Sequence, residues 1–392
     1  MATWKQALLN TAVNVEEHFD RLKGRLFNRL HKNKPFQIVY YRGFGSPTAV
    51  WLKGRVLRQR KQDMSTPSDN ESVWNNMLAT YQRFESDEVP GVTVKIDTFG
   101  ASYTTVTDEE GYFEITITPP DSLPPGRAWF PVRYTLLDIT QPSDGTEVSI
   151  DGHLMISPEF SKFGVISDID DTVLVTGATS LLQAAQLTFM GNAYTRLPFA
   201  GVAAFYRALQ SGPVTTLFNP IYFVSSSPWN LYDLLIDFFR IQGIPKGPIL
   251  LRDLGMTREQ FFKSSHEAHK LEQIRRVLSV NPQLPFVLIG DSGQKDPEIY
   301  AQVVRENPGR IMAVYLRDVS HDIRDTDVQA LIREMESHNV PMLLVPDTVG
   351  AAEHAAGLGL IDSDAIPEIR AERRADIQGT SSDKGAPTDL GE

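Results

Sequence analysis

Apolar positions along the chain change their period three times. In residues 3–32, Leu8, Val15, Phe19, Leu22, Leu26 and Leu30 recur at steps of three, four and seven, with Glu16, Glu17, Arg21, Lys23, Arg25 and Arg29 largely between them. Side chains so spaced share one face of an α-helix, so the pattern predicts an amphipathic helix over 1–34. Gly24 weakens it by about 1 kcal/mol relative to alanine, and Pro35 ends it. From Phe36 to Phe160 the period falls to two. Gln37-Ile38-Val39-Tyr40-Tyr41, Val50-Trp51-Leu52, Val92-Thr93-Val94-Lys95-Ile96 and Tyr112-Phe113-Glu114-Ile115-Thr116-Ile117 read as strands. Short strands with turn signals and no helical repeat predict a β-sandwich over 35–160. Gly43-Phe44-Gly45 lacks the third glycine and following helix of a dinucleotide fingerprint and reads as a turn; residues 62–76 are polar and read as a loop.

From Ser161 onward the pattern becomes strand then helix, repeated. Gly164-Val165-Ile166-Ser167, Ile221-Tyr222-Phe223-Val224, Ile249-Leu250-Leu251, Phe286-Val287-Leu288-Ile289, Ile311-Met312-Ala313-Val314-Tyr315 and Met342-Leu343-Leu344-Val345 are short apolar runs between helical stretches. Runs without alternation suit strands covered on both faces, so residues 161–366 are expected to form an α/β unit with a parallel sheet. Beyond Ile366 the pattern fades. Arg373-Arg374 and the Gly/Ser/Asp/Pro-rich stretch from Gln378 to Glu392 predict a disordered tail over 367–392.

Composition narrows the class. The chain has 392 residues, too many for one ordinary core, and its 41% hydrophobic and 22% charged residues are globular values. It contains no cysteine, which excludes disulfides, thiolate metal sites and a cysteine nucleophile and suits a reducing compartment. The start MATWKQALLN lacks the basic and unbroken apolar regions of a secretory signal, so a cytoplasmic location is expected. The uncharged run from Ser211 to Tyr232 is broken by Pro and Asn residues and reads as loop, strand and helix start rather than a membrane span. Net charge is −11, yet residues 1–62 carry thirteen Lys/Arg against three acids. That basic end on an acidic body suits peripheral contact with an anionic membrane, while overall acidity argues against nucleic acid.

Ligands of open parallel sheets bind beyond the carboxyl ends of the strands, so the residues after each apolar run matter most. The first run is followed by Asp168-Ile169-Asp170-Asp171-Thr172, the second by Ser225-Ser226-Ser227-Pro228-Trp229 and the fourth by Gly290-Asp291-Ser292-Gly293-Gln294-Lys295-Asp296, while Lys270 opens the helix leading into the fourth. Taken singly these are ordinary: a lone Asp-x-Asp is a solvated loop, a lone lysine a surface residue, and Ser227 before Pro228 a helix N-cap with proline at N1. Together and in this order they bring acid, hydroxyl, cation and acid to one edge. No chemistry demands Asp171, Asp253 or Trp229. Arg252, after the third run, can hold a substrate anion or pair with Asp253.

The set resembles the haloacid-dehalogenase superfamily, whose signature is D-x-D-x-T after the first strand, Ser/Thr after the second, a lysine and a final acidic motif. More narrowly, Ser167-Asp168-Ile169-Asp170-Asp171-Thr172, Ser225-Ser226-Ser227-Pro228-Trp229, Leu251-Arg252-Asp253, His269-Lys270 and Gly290-Asp291-Ser292 resemble the actin-patch-associated phosphatidate phosphatases and their bacterial relatives over residues 161–350. The segments Gly91-Val92-Thr93-Val94 and Thr107-Asp108-Glu109-Glu110-Gly111-Tyr112-Phe113 resemble the strand-turn-strand of transthyretin-like sandwiches, where the Asp-to-Gly stretch makes the turn and the aromatic enters the core. The catalytic resemblance implies Asp168 as phosphoryl-accepting nucleophile, Asp170 as acid and base, Ser225 and Lys270 as stabilisers of phosphoryl charge, and Thr172, Ser226 and Arg252 on the substrate side. It also implies Mg²⁺, needed because paired carboxylates repel a phosphate, held by Asp168, Asp170 through its carbonyl, and Asp291, with Asp296 a direct or indirect ligand.

Only about forty residues separate Thr172 from Thr216, which leaves no room for a large cap domain and predicts an open site. An open site, a basic amphipathic start and the resemblance favour a lipid phosphomonoester such as phosphatidate as the phosphate-ester substrate. Two alternatives remain at this level: a capless phosphatase acting on a phosphoprotein or small phosphate ester, and a non-catalytic scaffold whose β domain is the working part.

Overall fold

A computed structural model describes residues 34–58, 87–120, 123–124, 126–169, 200–214, 218–252, 266–293, 295–318 and 324–378. The expected helix over 1–34, except its last residue, and the loop over 62–76 lie outside the described residues. The fold is mixed α/β, as expected: a nine-stranded, mainly antiparallel sheet precedes a six-stranded parallel one.

The first sheet comprises β1 (Phe36–Tyr40), β2 (Gly43–Ser46), β3 (Ala49–Arg58), β4 (Asp87–Glu88), β5 (Thr93–Thr98), β6 (Ala101–Val106), β7 (Tyr112–Ile117), β8 (Trp129–Thr140) and β9 (Glu147–Ile156). Its path runs β1-β3-β2-β9-β8-β5-β6, with β4 and β7 on the other edge of β3. The Thr105 hydroxyl on β6 donates to the Glu114 carbonyl on β7 at 3.1 Å, so the last strand of the path approaches the strand on the other edge of β3. Where two facing sheets are expected from the sequence, one continuous set of pairings wraps a core that includes Val50, Leu52, Val94, Ile96, Phe113, Tyr134 and Leu154. Gly43-Phe44-Gly45, expected as a turn, is the strand β2, parallel to β9 and antiparallel to β3. Before Tyr112, Asp108 makes the anticipated turn: its carboxylate accepts from the amides of Glu110 and Tyr112 at 3.0 and 2.8 Å.

The parallel sheet comprises β10 (Gly164–Asp168), β11 (Ile221–Pro228), β12 (Ile249–Arg252), β13 (Phe286–Asp291), β14 (Ile311–Arg317) and β15 (Met342–Val345). All six apolar runs singled out in the sequence are these strands. They lie in the order β12-β11-β10-β13-β14-β15, so successive strands step one way from β10 and then the other, and the direction reverses between β10 and β13. The helices are α1 (Val202–Ser211), α2 (Tyr232–Ile241), α3 (His266–Val280), α4 (Asp296–Glu306), α5 (Arg324–Ser337), α6 (Thr348–Gly357) and α7 (Ile366–Gln378). None of the described helices is long and apolar enough to cross a membrane.

Helix α7 corrects the expected tail for residues 367–378; residues 379–392 lie outside the described set. Its attachment is polar. Asp376 and Glu372, one turn apart, accept the amide hydrogens of Gly201 and Ala204 at 2.8 and 2.9 Å. Those amides open α1, whose N-cap Gly201 has no side chain to cap them. Carboxylates there satisfy orphan donors and complement the helix dipole.

The two sheets share packing. Tyr41, Phe44, Trp51, Tyr112 and Met155 of the first join the core of the second. Tyr41 stacks on Trp229 with centroids 4.1 Å apart, and the Tyr232 hydroxyl accepts from the Arg42 amide at 2.8 Å. Helix α3 packs on β2 and β3, where Arg276 donates to Glu114 of β7 at 2.6 Å.

Candidate active site

The switch between β10 and β13 is where a doubly wound sheet leaves a crevice beyond its strand ends. Asp168 ends β10 and Asp291 ends β13, the two strands that flank it. Asp168 pairs in register with Val224, so Ser225 stands one residue further along β11 on the other side. Asp296 is the first residue of α4, where the helix dipole favours a carboxylate.

Lys270 ties the acids together. From the second turn of α3 its ammonium reaches Asp168 Oδ1 at 2.7 Å and Asp296 Oδ1 at 2.9 Å, with all three side chains no more than 4% exposed. Asp296 Oδ2 accepts the Asp291 amide at 3.2 Å, and Asp291 Oδ1 accepts the Gly293 amide at 2.8 Å. One carboxylate oxygen from each of Asp168, Asp291 and Asp296 lies within 4.8 Å of the others. Three carboxylates against one ammonium leave two negative charges in a nearly dry place, which a divalent cation neutralises. The all-oxygen donors, without histidine or cysteine, fit a hard cation of the Mg²⁺ or Ca²⁺ type better than zinc. Both oxygens of Asp296 already accept from the protein, so its orientation is set by Lys270 and the backbone.

Gly290 makes this arrangement possible. A Cβ there would stand 2.4 Å from Asp296 Oδ2 and 2.9 Å from the Tyr300 hydroxyl. The Tyr300 hydroxyl donates to the Ile289 carbonyl at 2.7 Å, holding α4 against the end of β13. Burial, reinforced by Asp296, Asp168 and Asp291, pushes this phenol well above its usual range, so it stays protonated and keeps donating. Beside the first strand, the hydroxyls of Tyr206 on α1 and Ser167 are 2.6 Å apart. The two tyrosines escape sequence reasoning because apolar spacing marks Tyr206 and Tyr300 only as core positions; Gly290 stands in the motif read after the fourth run, but its close approach to Asp296 does not show there.

Among the residues expected at the site, Asp168, Ser225, Lys270, Asp291 and Asp296 converge on one sheet edge, while Asp170 and Thr172 lie outside the described residues. Ser226 and Arg252 are buried at the ends of β11 and β12, and Arg252 lines a pocket between the two sheets rather than the acid cluster. Strand β11 continues through Pro228, a 3₁₀ turn follows at Trp229–Leu231 and α2 starts at Tyr232, while the Ser227 amide donates to Ser225 Oγ at 2.9 Å. By accepting there, Ser225 turns its hydroxyl hydrogen away from Ser227.

Residues 163–318 match the family model described as phosphatidate phosphatase APP1, catalytic domain. The chain is 30% identical over 162 residues to phosphatidate phosphatase APP1 of Saccharomyces cerevisiae, covering 41% of this chain and 27% of that one. It is 27% identical over 256 residues to a Schizosaccharomyces pombe protein described as uncharacterised, covering 64% of this chain and 39% of that one. The second match is longer than everything from residue 163 to the end, so it reaches into the first sheet. The chain thus spans about a quarter to two fifths of these relatives. A solved carbohydrate acetylesterase from Xanthomonas citri, 11% identical with 86% of this chain and 72% of that one covered, superposes with a TM-score of only 0.23 and informs neither fold nor function. Residues 163–318 of this chain are thus similar to the catalytic domain of phosphatidate phosphatase APP1.

Proposed function

We propose that the chain is a Mg²⁺-dependent phosphomonoester hydrolase that works through an aspartyl-phosphate on Asp168, with phosphatidate as substrate and diacylglycerol and phosphate as products. The observation that carries this reading is the buried Asp168–Lys270–Asp296 bridge beside Asp291 at the switch point. The similarity of residues 163–318 to that catalytic domain supports the substrate class, and the ordered motifs support a haloacid-dehalogenase-like reading of the parallel-sheet unit.

Asp168, Asp291 and Asp296, with the Asp170 carbonyl, would hold Mg²⁺, which when bound offsets the charge of carboxylates and phosphate so that they can approach. Lys270 holds the Asp168 carboxylate in place through its contact at 2.7 Å. A carboxylate oxygen of Asp168 attacks phosphorus while the bond to the alkoxide oxygen breaks, and Asp170 gives its proton to that leaving oxygen. In the second half, Asp170 takes a proton from water, the water oxygen attacks phosphorus, and the bond to Asp168 breaks to release phosphate. Ser225 and Lys270 supply fixed dipole and charge to the phosphoryl oxygens.

On this reading the enzyme is cytoplasmic and reaches its lipid as a peripheral protein through residues 1–34. Each basic residue near an anionic surface contributes roughly 1 kcal/mol, so several on one face suffice for reversible, salt-sensitive binding. The test is Mg²⁺-dependent phosphate release from phosphatidate in anionic vesicles, from a phosphopeptide and from a soluble phosphomonoester, with the full chain and with residues 1–34 deleted. Phosphatidate turnover that falls on deletion while soluble-ester turnover persists supports the reading. Release from the phosphopeptide or soluble ester alone would move the substrate to another class.

A further inference from the structure

The reaction outlined above leaves unused a pocket of about 320 Å³ between the two sheets. Trp51 and Lys53 of β3 and Glu114 of β7 form one side, and Trp229, Arg252 and a face of α3 form the other. His269 in its wall is next in sequence to Lys270, and Arg252 pairs in register with Pro228, three residues past Ser225. The pocket thus shares α3 with Lys270 and the β11–β12 pairing with the strand that carries Ser225, and it is completed by the first sheet.

Its charge is mixed. The lining holds three permanent cations, Lys53, Arg252 and Arg276, against two carboxylates, Glu114 and Glu272. Lys53 and Arg252 are only 6% and 2% exposed, whereas the Glu114 and Glu272 side chains are 44% and 65% exposed. Glu114 lies 2.6 Å from Arg276 and 3.8 Å from Lys53, and Glu272 3.7 Å from Arg276, so the two carboxylates offset part of this charge; with Arg252 only 2% exposed, the lining still keeps a net positive charge where water is scarce. Both indoles are occupied: the Arg276 guanidinium lies 4.7 Å from the Trp51 ring and the Lys53 ammonium 5.6 Å from the Trp229 ring. Rings already covered by the protein's own cations make no cage for a quaternary ammonium. They hold those cations in place, which is what an anion site needs.

We propose that this inter-sheet pocket binds a second phosphate group, distinct from the one hydrolysed, and that the first sheet thereby helps select the substrate. Only the choice of what carries that phosphate rests on the phosphatase reading: it belongs either to the substrate itself, as in a bisphosphorylated ester, or to a separate phosphate-bearing molecule.

The test titrates the full chain calorimetrically with inorganic phosphate in EDTA, so that no divalent ion supports the acid cluster. One site is expected, weakened about tenfold or more by Lys53→Gln and by Arg276→Gln, as loss of a charge-assisted hydrogen bond requires, and retained in Asp291→Asn. Arg276, more exposed than Lys53, guards against a folding defect, and thermal melts verify both variants. Absence of phosphate binding in EDTA, or binding that both substitutions leave unchanged, overturns the proposal. Loss of Mg²⁺-supported turnover in Asp291→Asn is scored separately and bears on the catalytic reading alone. A second arm compares KM for glycerol bisphosphate and glycerol monophosphate. An advantage for the bisphosphate that Lys53→Gln removes puts the second phosphate on the substrate, whereas equal KM with phosphate binding intact puts it on a separate molecule.

Discussion

The Lys270 ammonium sits 2.7 Å from Asp168 Oδ1, with each side chain 4% exposed, and the same ammonium holds Asp296 at 2.9 Å. One lysine thus separates the proposed nucleophile from a carboxylate that would otherwise face it across a dry gap. Removing it leaves buried charge uncompensated, a loss of about 3–5 kcal/mol in comparable sites. Lys270→Met is expected to lower the melting temperature in EDTA, to recover part of it with Mg²⁺, and to lose on the order of 10²–10³-fold in turnover. Lys270→Arg keeps the charge but brings a planar fork to a site shaped for a point charge, and is expected to stay impaired. Near-normal turnover in either variant would remove Lys270 from the chemistry.

Gly290 allows a second prediction. Because a methyl group there would press on Asp296 Oδ2 at 2.4 Å and Asp296 is fully buried, Gly290→Ala must displace the carboxylate that positions the cluster. The Mg²⁺ concentration for half-maximal activity is expected to rise about 10–100-fold, the usual cost of disturbing a ligand's support. An unchanged Mg²⁺ dependence in the folded variant would show that Asp296 has no part in holding the cation.

A third prediction concerns pH and the seam between the sheets. Burial works to raise the Glu114 carboxyl, but the Trp51 indole, Arg276 and Lys53 outweigh it and hold it below the usual glutamate range. A carboxyl depressed in the folded state contributes stability that is fully present above its unfolded value and is lost as pH falls through the lower folded one. The melting-temperature gap between the wild type and Glu114→Gln should therefore be constant near neutrality and close below about pH 4.5. With Glu114 nearly half exposed, the gap corresponds to about 1 kcal/mol at most. A gap that widens on acidification would contradict the assignment.

Much of this organisation is legible in the sequence, for a physical reason. Strands buried on both faces must be apolar throughout, so β10 to β15 stand out as runs, and a parallel sheet then delivers the residues after them to one edge. Asp168, Ser225, Asp291 and Asp296 follow such runs, whereas Lys270 lies on a helix, where only the family resemblance singles it out. Elements held by polar or backbone contacts were not legible. Strand β2 contains two glycines because its neighbours come too close for side chains: a Cβ on Gly45 would lie 2.0 Å from the Ala49 carbonyl. Helix α7 has a single fully buried apolar side chain, Ile369, and is fixed by Glu372 and Asp376 capping another helix, a long-range pairing that periodicity cannot register. Around Ser227 the local rule of proline at a helix start meets a longer strand, since β11 runs on through Pro228 before a 3₁₀ turn at Trp229–Leu231.

The central claim is that Asp168 carries the phosphoryl group. Its most direct measurement is covalent label on the protein after brief reaction with ³²P-phosphatidate and Mg²⁺, quenched in acid and localised by peptide mass spectrometry, in the wild type, Asp170→Asn and Asp168→Asn. The account predicts label on Asp168 in the wild type, no label in Asp168→Asn with turnover down on the order of 10³-fold or more, and label that persists in Asp170→Asn whenever a good leaving group lets the first step proceed. Label on another residue, or an Asp168→Asn enzyme that keeps more than about a tenth of wild-type turnover, would contradict it.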